Sequence, residues 1–218
     1  MKVEGLIFDL DGVIVDTAKY HYLAWKELAD GLGFYFSEED NERLKGVSRM
    51  RSLDILLEVG KIELPDEKKQ ELAEKKNKQY VEMIKKMSPD EILPGALSFL
   101  KSAKAKGYKT ALGSASKNAM IILNRLEIAA LFDAIIDGTK VSKAKPNPEV
   151  FLAGAKALNV QAENCVVFED AAAGIEAAHN AKMFCIGIGN KENLPDADYL
   201  IPGFEKFTIR DFEDLIRN

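Results

Sequence analysis

The chain is poor in the residue types that build a disulfide scaffold, a zinc centre or a membrane span. Only two cysteines and two histidines occur in 218 residues. Cys165 and Cys185 lie in apolar, strand-like runs without metal-type spacing, which fits buried reduced thiols. No stretch approaches the roughly 18 consecutive apolar residues of a membrane helix, and the N-terminal residues lack the basic start and small-residue cleavage site of a signal peptide. An excess of positive charge is missing too. With 35 acidic against 30 basic side chains the formal charge is −5, which argues against nucleic acid as a partner. The expectation is a soluble, cytoplasmic protein, monomeric by default, that meets any anionic ligand with a local basic cluster.

What is present is an alternation of periods. With 47% hydrophobic residues the chain can bury a core of ordinary size. Val3 to Phe8 reads as a buried strand. Helical patterns follow at Thr17 to Gly31, from a capping box at Ser37 to Asp40, at Arg51 to Val59 and at Pro65 to Met87, with no strand among them. From Leu93 onward strands and helices alternate: helix Ala96 to Lys106, strand Lys109 to Gly113, helix Lys117 to Glu127 and strand Ala134 to Ile136. Then come helix Pro148 to Leu158, strand Cys165 to Phe168, helix Ala172 to Ala178, strand Phe184 to Ile188 and a short apolar piece at Tyr199 to Ile201. Such alternation predicts an α/β fold, a Rossmann-like parallel sheet with helices on both faces. The first strand needs that sheet, so residues 15–92 are expected to form an all-helical insertion in a core made of residues 1–14 and 93–218. The linkers at Val13 to Asp16 and Pro89 to Pro94 would act as a hinge.

The chemistry gathers at the expected carboxyl ends of strands, where open α/β sheets bind ligands. The first strand ends in Asp9-Leu10-Asp11-Gly12, two carboxylates that repel unless a cation lies between them or one is protonated. Strand Lys109 to Gly113 ends in Ser114-Ala115-Ser116-Lys117-Asn118, small hydroxyl residues that lead into a helix start and suit an anion. Lys145 precedes a proline that restricts its backbone. Strand Cys165 to Phe168 ends in Glu169-Asp170, a second acidic pair. Oxygen ligands without a His or Cys cluster suit Mg²⁺ better than zinc. On the helix Pro65 to Met87, lysines and glutamates spaced i,i+4 (Glu71 with Lys75, Glu74 with Lys78, Glu82 with Lys86) predict a solvated face.

These four strand-end signals, in this order, resemble the four motifs of the haloacid dehalogenase superfamily of phosphotransferases: Asp9-Leu-Asp11-Gly-Val, Ser114, Lys145-Pro and Glu169-Asp170-(x)₃-Gly174. The helical insertion resembles that superfamily's cap. Further residues are similar to a phosphomutase branch acting on β-glucose phosphates: His21, Trp25, Leu44 to Arg49, Lys76-Asn77 and Ser114 to Asn118. The resemblance implies Asp9 as nucleophile and Asp11 as general acid and base, with Ser114 and Lys145 neutralising the phosphoryl group. It implies Mg²⁺ held by the Asp9 side chain, the Asp11 carbonyl, Asp170 and, directly or through water, Glu169. A sugar phosphate would be held by Thr17, His21, Trp25, Lys45, Gly46, Val47, Ser48, Arg49, Lys76, Ala115, Ser116, Lys117 and Asn118, with Arg49 on the phosphate not being transferred. The implied reaction interconverts β-glucose 1-phosphate and glucose 6-phosphate through an aspartyl phosphate, with β-glucose 1,6-bisphosphate as priming intermediate. A sugar-phosphate phosphatase of the same fold, or a phosphosugar-binding module, are the alternatives. Three positions depart from the pattern: Ala171 and Ala172 stand where relatives commonly carry a serine and a polar residue, and Gly113 stands for a more usual alanine.

Overall fold

The computed structural model describes residues 2–44 and 47–217. Six parallel strands form one sheet: β1 (Gly5–Phe8), β2 (Lys109–Gly113), β3 (Ala134–Ile136), β4 (Cys165–Glu169), β5 (Phe184–Ile188) and β6 (Tyr199–Ile201), in the order β3-β2-β1-β4-β5-β6. The predicted parallel sheet is present. Its first strand begins at Gly5 rather than Val3, since pairing with both β2 and β4 starts there. β1 is fully buried, so both of its faces are apolar: Leu6 and Phe8 join one side of the core and Ile7 the other. Phe8 stacks on Phe168 of β4 with ring centroids 4.7 Å apart.

The helices are α1 (Ala18–Leu32), α2 (Glu38–Glu42), α3 (Arg49–Gly60), α4 (Asp66–Ile84), α5 (Ala96–Ala105), α6 (Ala119–Arg125), α7 (Glu149–Leu158), α8 (Ala172–Asn180) and α9 (Ile209–Arg217). The first four lie between β1 and β2, where the helical run was expected. Trp25, Leu28, Leu53, Leu56 and Ala73 close a separate apolar cluster among α1, α3 and α4. Several ends differ from the reading of the sequence. α1 runs past Gly31 and stops at Gly33, which holds the left-handed conformation at φ 87°. α3 takes in Gly60 and ends on Lys61, and α4 ends at Ile84. Two of the three expected i,i+4 ion pairs give way to i,i+3 pairs: Glu71 meets Lys68 and Glu82 meets Lys85. α9 is an addition, capped by Thr208 and Asp211 and anchored by buried Phe212 against the sheet core.

The chain leaves the sheet after β1 and returns before α5 at one place. Val15 bridges antiparallel to Ile92, and the Leu93 amide donates to the Ile14 carbonyl at 2.9 Å. Glu91 accepts hydrogen bonds from Tyr20 Oη (2.5 Å) and the Ser88 amide (3.2 Å) and pairs with Lys19, tying α1 to the returning linker. No helix among the described residues is long and apolar enough to cross a membrane.

Candidate active site

β1 lies where the strand order reverses, with β2 on one side and β4 on the other, so a crevice opens past its carboxyl end. Asp9 stands one residue beyond β1 and is still registered with β4, its amide donating to the Phe168 carbonyl at 3.0 Å. Glu169 is the last residue of β4. Carboxylate oxygens of Asp9, Glu169 and Asp170 therefore converge, all within 4.8 Å of one another.

Two glycines make the room. Gly12 turns the chain at φ +76°, and a Cβ there would stand 2.0 Å from Asp170 Oδ2. A Cβ at Gly174 would stand 2.0 Å from Glu169 Cδ. The Ala171 amide donates to Glu169 Oε1 at 3.3 Å, so the backbone supplies a hydrogen bond at the position where a serine is missing.

Lys145, buried beside a cis peptide bond to Pro146, places Nζ 2.5 Å from Asp9 Oδ1 and 2.8 Å from Glu169 Oε2. Phe151 carries the ammonium 4.8 Å from its ring centroid. A Cβ on residue 113 would come within 3.0 Å of Phe151 Cδ1, which explains the glycine there. Burial opposes the charge on Lys145, yet the adjoining Asp9 and Glu169 carboxylates hold its pKa above the usual lysine range. Burial pushes the Glu169 carboxyl up to about 8 against the pull of Lys145. Four carboxyl groups around one lysine leave an excess of negative charge, which a hard divalent cation among the oxygens of Asp9, Glu169 and Asp170 would relieve.

Asp11 plays a different part. Its amide donates to Asp9 Oδ2 at 3.0 Å, and its own carboxylate accepts a short hydrogen bond from Thr17 Oγ1. Thr17 thus spends its hydroxyl on Asp11, and Asp16 caps α1 through the Ala18 amide. Burial first, and the Asp9 charge second, raise the Asp11 pKa from 3.8 to about 7. A carboxyl balanced near neutrality can both take and give a proton.

After β2 the serines act on their own loop. Ser114 Oγ accepts from the Ser116 amide and Ser116 Oγ from the Asn118 amide. The Ala115 and Lys117 amides, between them, have no partner among the described residues. Asn118 Nδ2 donates to Asn77 Oδ1 of α4 at 2.9 Å, joining the two walls of the crevice.

The opposite wall comes from the helices between β1 and β2. A cavity of about 540 Å³ is lined by Asp9, Asp11, Ser114 and Lys145 below and by His21, Arg49, Lys76 and Asn77 above. Val47, Ser48, Trp25, Ala115, Ser116, Lys117 and Asn118 line it as well. Ser48 also accepts from the Arg51 amide and caps α3. The expected contacts Lys45 and Gly46 lie outside the described residues. Lys76 is buried, with Nζ 2.9 Å from His21 Nδ1. Burial, Lys76 and Arg49 hold the His21 pKa well below 6.5, so its ring is neutral and accepts from the ammonium. Sequence reasoning passed over Tyr80, which lines the same cavity one helical turn after Lys76 and stacks on His21 with centroids 4.1 Å apart. Its i+4 spacing from Lys76 was the available signal.

A family model described as haloacid dehalogenase-like hydrolase matches residues 3–182. The β-phosphoglucomutase of Bacillus subtilis strain 168 is 43% identical over 209 residues, 95% of this chain and 92% of that protein. The crystal structure of a β-phosphoglucomutase from Clostridium difficile, 44% identical, matches 99% of this chain and 100% of its own with a TM-score of 0.91. The phosphorylated carbohydrates phosphatase of Thermotoga maritima is 34% identical over 182 residues, 82% of each chain. With its motifs, sheet order and helical insertion in agreement, the chain belongs to the haloacid dehalogenase-like hydrolase family.

Proposed function

We propose that the protein is a Mg²⁺-dependent phosphomutase that interconverts β-glucose 1-phosphate and glucose 6-phosphate. Residues 1–14 and 93–218 act as the catalytic core and 15–92 as a cap. The observation that carries the reading is a second cationic pole in the cavity of Asp9: Arg49 and Lys76 from the helices and Lys117 from the loop after β2, with the neutral Asn118 amide beside it. A nucleophile acting on a monophosphate with water needs one anion site, whereas a bisphosphate intermediate needs two. The similarity to two β-phosphoglucomutases over nearly the whole chain supports the same choice.

In this reading Asp9 carries the phosphoryl group and passes it to the C6 hydroxyl of β-glucose 1-phosphate, while Asp11 takes the hydroxyl proton. The β-glucose 1,6-bisphosphate then turns around. Asp9 attacks the phosphorus on C1, Asp11 returns the proton to the leaving oxygen, and glucose 6-phosphate departs. Lys145 and Ser114 neutralise the transferring group, and Arg49, with Lys45 to Ser48 and Ser116 to Asn118, grips the other phosphate. Mg²⁺, when held by Asp9, Asp170, Glu169 and the Asp11 carbonyl, supplies charge neutralisation and alignment at the phosphoryl oxygens. The protein would work as a cytoplasmic monomer on a small sugar phosphate, away from membranes and nucleic acid.

The test is one reaction mixture with Mg²⁺, β-glucose 1-phosphate and catalytic β-glucose 1,6-bisphosphate, in which glucose 6-phosphate and free phosphate are both measured. Glucose 6-phosphate in large excess, lost in Asp9→Asn, supports the mutase. Phosphate alone supports the second reading, a sugar-phosphate phosphatase, which the 34% identity to the Thermotoga enzyme favours.

A further inference from the structure

Lys76 presents an energetic problem. A lysine only 3% exposed has lost nearly all its hydration, and that burial, with repulsion from the Arg49 guanidinium, lowers its pKa from 10.5 to about 7. No carboxylate is paired with it among the described residues; Asp11 is the acidic group whose charge favours it, and that charge is weakened by the Asp11 pKa near neutrality. What surrounds the ammonium instead is aromatic. Nζ lies 4.3 Å from the Trp25 ring centroid and 4.8 Å from the Tyr80 ring centroid, and 2.9 Å from the neutral His21 Nδ1. The His21 ring is itself stacked on Tyr80. Trp25 and Tyr80 are 2% and 1% exposed, so neither ring is free to move away.

We infer that Trp25 and Tyr80 form an aromatic cage that favours the charged form of Lys76 against its burial and aims it into the cavity, so that the sugar phosphate meets a cation already stripped of water. The inference deepens the reading above and rests on it for the identity of the ligand. Both rings are positioning residues: they act through Lys76 rather than on the reacting atoms. A ring face attracts an ammonium most strongly where water is excluded, which is the condition here. The cage also gives Trp25, expected as a substrate contact, a definite task within the helical layer. The groups that set the Lys76 charge are then His21 and Trp25 from α1, Arg49 from α3, Tyr80 from α4 and Asp11 from the edge of the sheet.

The experiment uses the full chain labelled with ¹⁵N and ¹³C at lysine, in which the Lys76 signal is assigned by its loss in Lys76→Met and followed through a pH titration. The variants are Tyr80→Leu, Trp25→Leu and the ring-conserving Tyr80→Phe and Trp25→Phe. Loss of either ring face should lower the deprotonation midpoint of Lys76 by about one pH unit, a tenfold change, and the phenylalanine variants should restore most of it. In turnover, the leucine variants should raise KM for β-glucose 1-phosphate by about tenfold at pH 8.5 and by much less at pH 6, where Lys76 is protonated again. A midpoint equal to wild type in folded leucine variants, judged by near-ultraviolet circular dichroism, overturns the cage. If Tyr80→Leu and Trp25→Leu do not fold, an unmoved midpoint in Trp25→Phe together with a wild-type KM in Tyr80→Phe at both pH values leaves the cage intact only if Trp25→Met lowers the midpoint; no shift there overturns it. Wild-type protein that converts no sugar phosphate refutes the functional reading alone, because the titration needs no substrate.

Discussion

Gly174 and Glu169 occupy one space: the hydrogen that a glycine carries instead of a side chain is the gap into which the Glu169 carboxyl folds, and a Cβ would stand 2.0 Å from Glu169 Cδ. Gly174 lies in the first turn of α8, four residues after the acidic pair Glu169-Asp170 at the end of β4, so the helix start shapes the carboxylate cluster from behind.

Gly174→Ala should therefore displace Glu169 and damage cation binding more than folding. Calorimetric titration with Mg²⁺ is expected to give an affinity lower by at least about tenfold, as when a group that orients a metal ligand is removed. Thermal unfolding in chelator should change much less than it does for substitutions within β4.

Lys145→Ala leaves Asp9 and Glu169 buried without their partner. Removing one member of a buried ion pair costs about 3–5 kcal/mol, so the metal-free variant should unfold at a lower urea concentration. Mg²⁺ should recover part of the loss, because the added charge replaces the ammonium. Turnover should fall by about 10²- to 10³-fold even at saturating Mg²⁺, since Lys145 stabilises charge on the transferring group.

Asp11→Asn isolates one titration. The Asp11 pKa is raised from 3.8 to about 7 in the folded chain, so its ionisation opposes folding. Its stabilising contribution is present below about pH 4 and is lost as the pH rises through about 7. In chelator, wild-type stability should decline relative to Asp11→Asn across that window and stay parallel above it. A constant difference between the two melting curves from pH 4 to 8 would show that Asp11 ionises as freely in the fold as in the unfolded chain. The same variant should lose turnover.

Arg49→Ala should separate the two chemistries. Without the distal guanidinium, the KM for β-glucose 1,6-bisphosphate should rise by about 100-fold, the worth of a strong charge-assisted contact. Hydrolysis of phosphorylated Asp9 by water should persist. The ratio of free phosphate to glucose 6-phosphate in the mixed assay reads this directly.

Much of the site was legible because its signals are local. A buried strand ending in Asp9-Leu10-Asp11-Gly12 announces a strand edge, and the acidic pair at the end of β4 does the same, so period and turn chemistry sufficed to bring Asp9, Ser114 and Glu169 to one side of the sheet, whereas Lys145 by itself reads as a solvated lysine and is buried only through its pairing with Asp9 and Glu169. What the sequence could not tell was decided by packing. Gly31 and Gly33 are equally able to end a helix, and α1 continues to Leu32, whose side chain joins the cluster of Trp25 and Leu28. Thr17 could have capped α1, but Asp11 claims its hydroxyl. The role of Tyr80 depends on His21 and Lys76 meeting across two helices. α9 differs from these: Thr208 to Asp211 is a capping pattern and Ile209, Phe212 and Ile216 share a face, so its signal was in the sequence.

The antiparallel bridge between Val15 and Ile92 puts the departure and return of seventy-odd residues at a single gap in the core. A detour that begins and ends side by side leaves the strand order independent of its length. Selection can rewrite the parts of α1 to α4 away from Ala24, Tyr80, Ile84 and Met87, which pack into the sheet core, while the strand order and the position of Asp9 stay fixed. Ligand choice and bond-breaking machinery are thus heritable as separate parts, and a new substrate can be acquired without rebuilding the nucleophile.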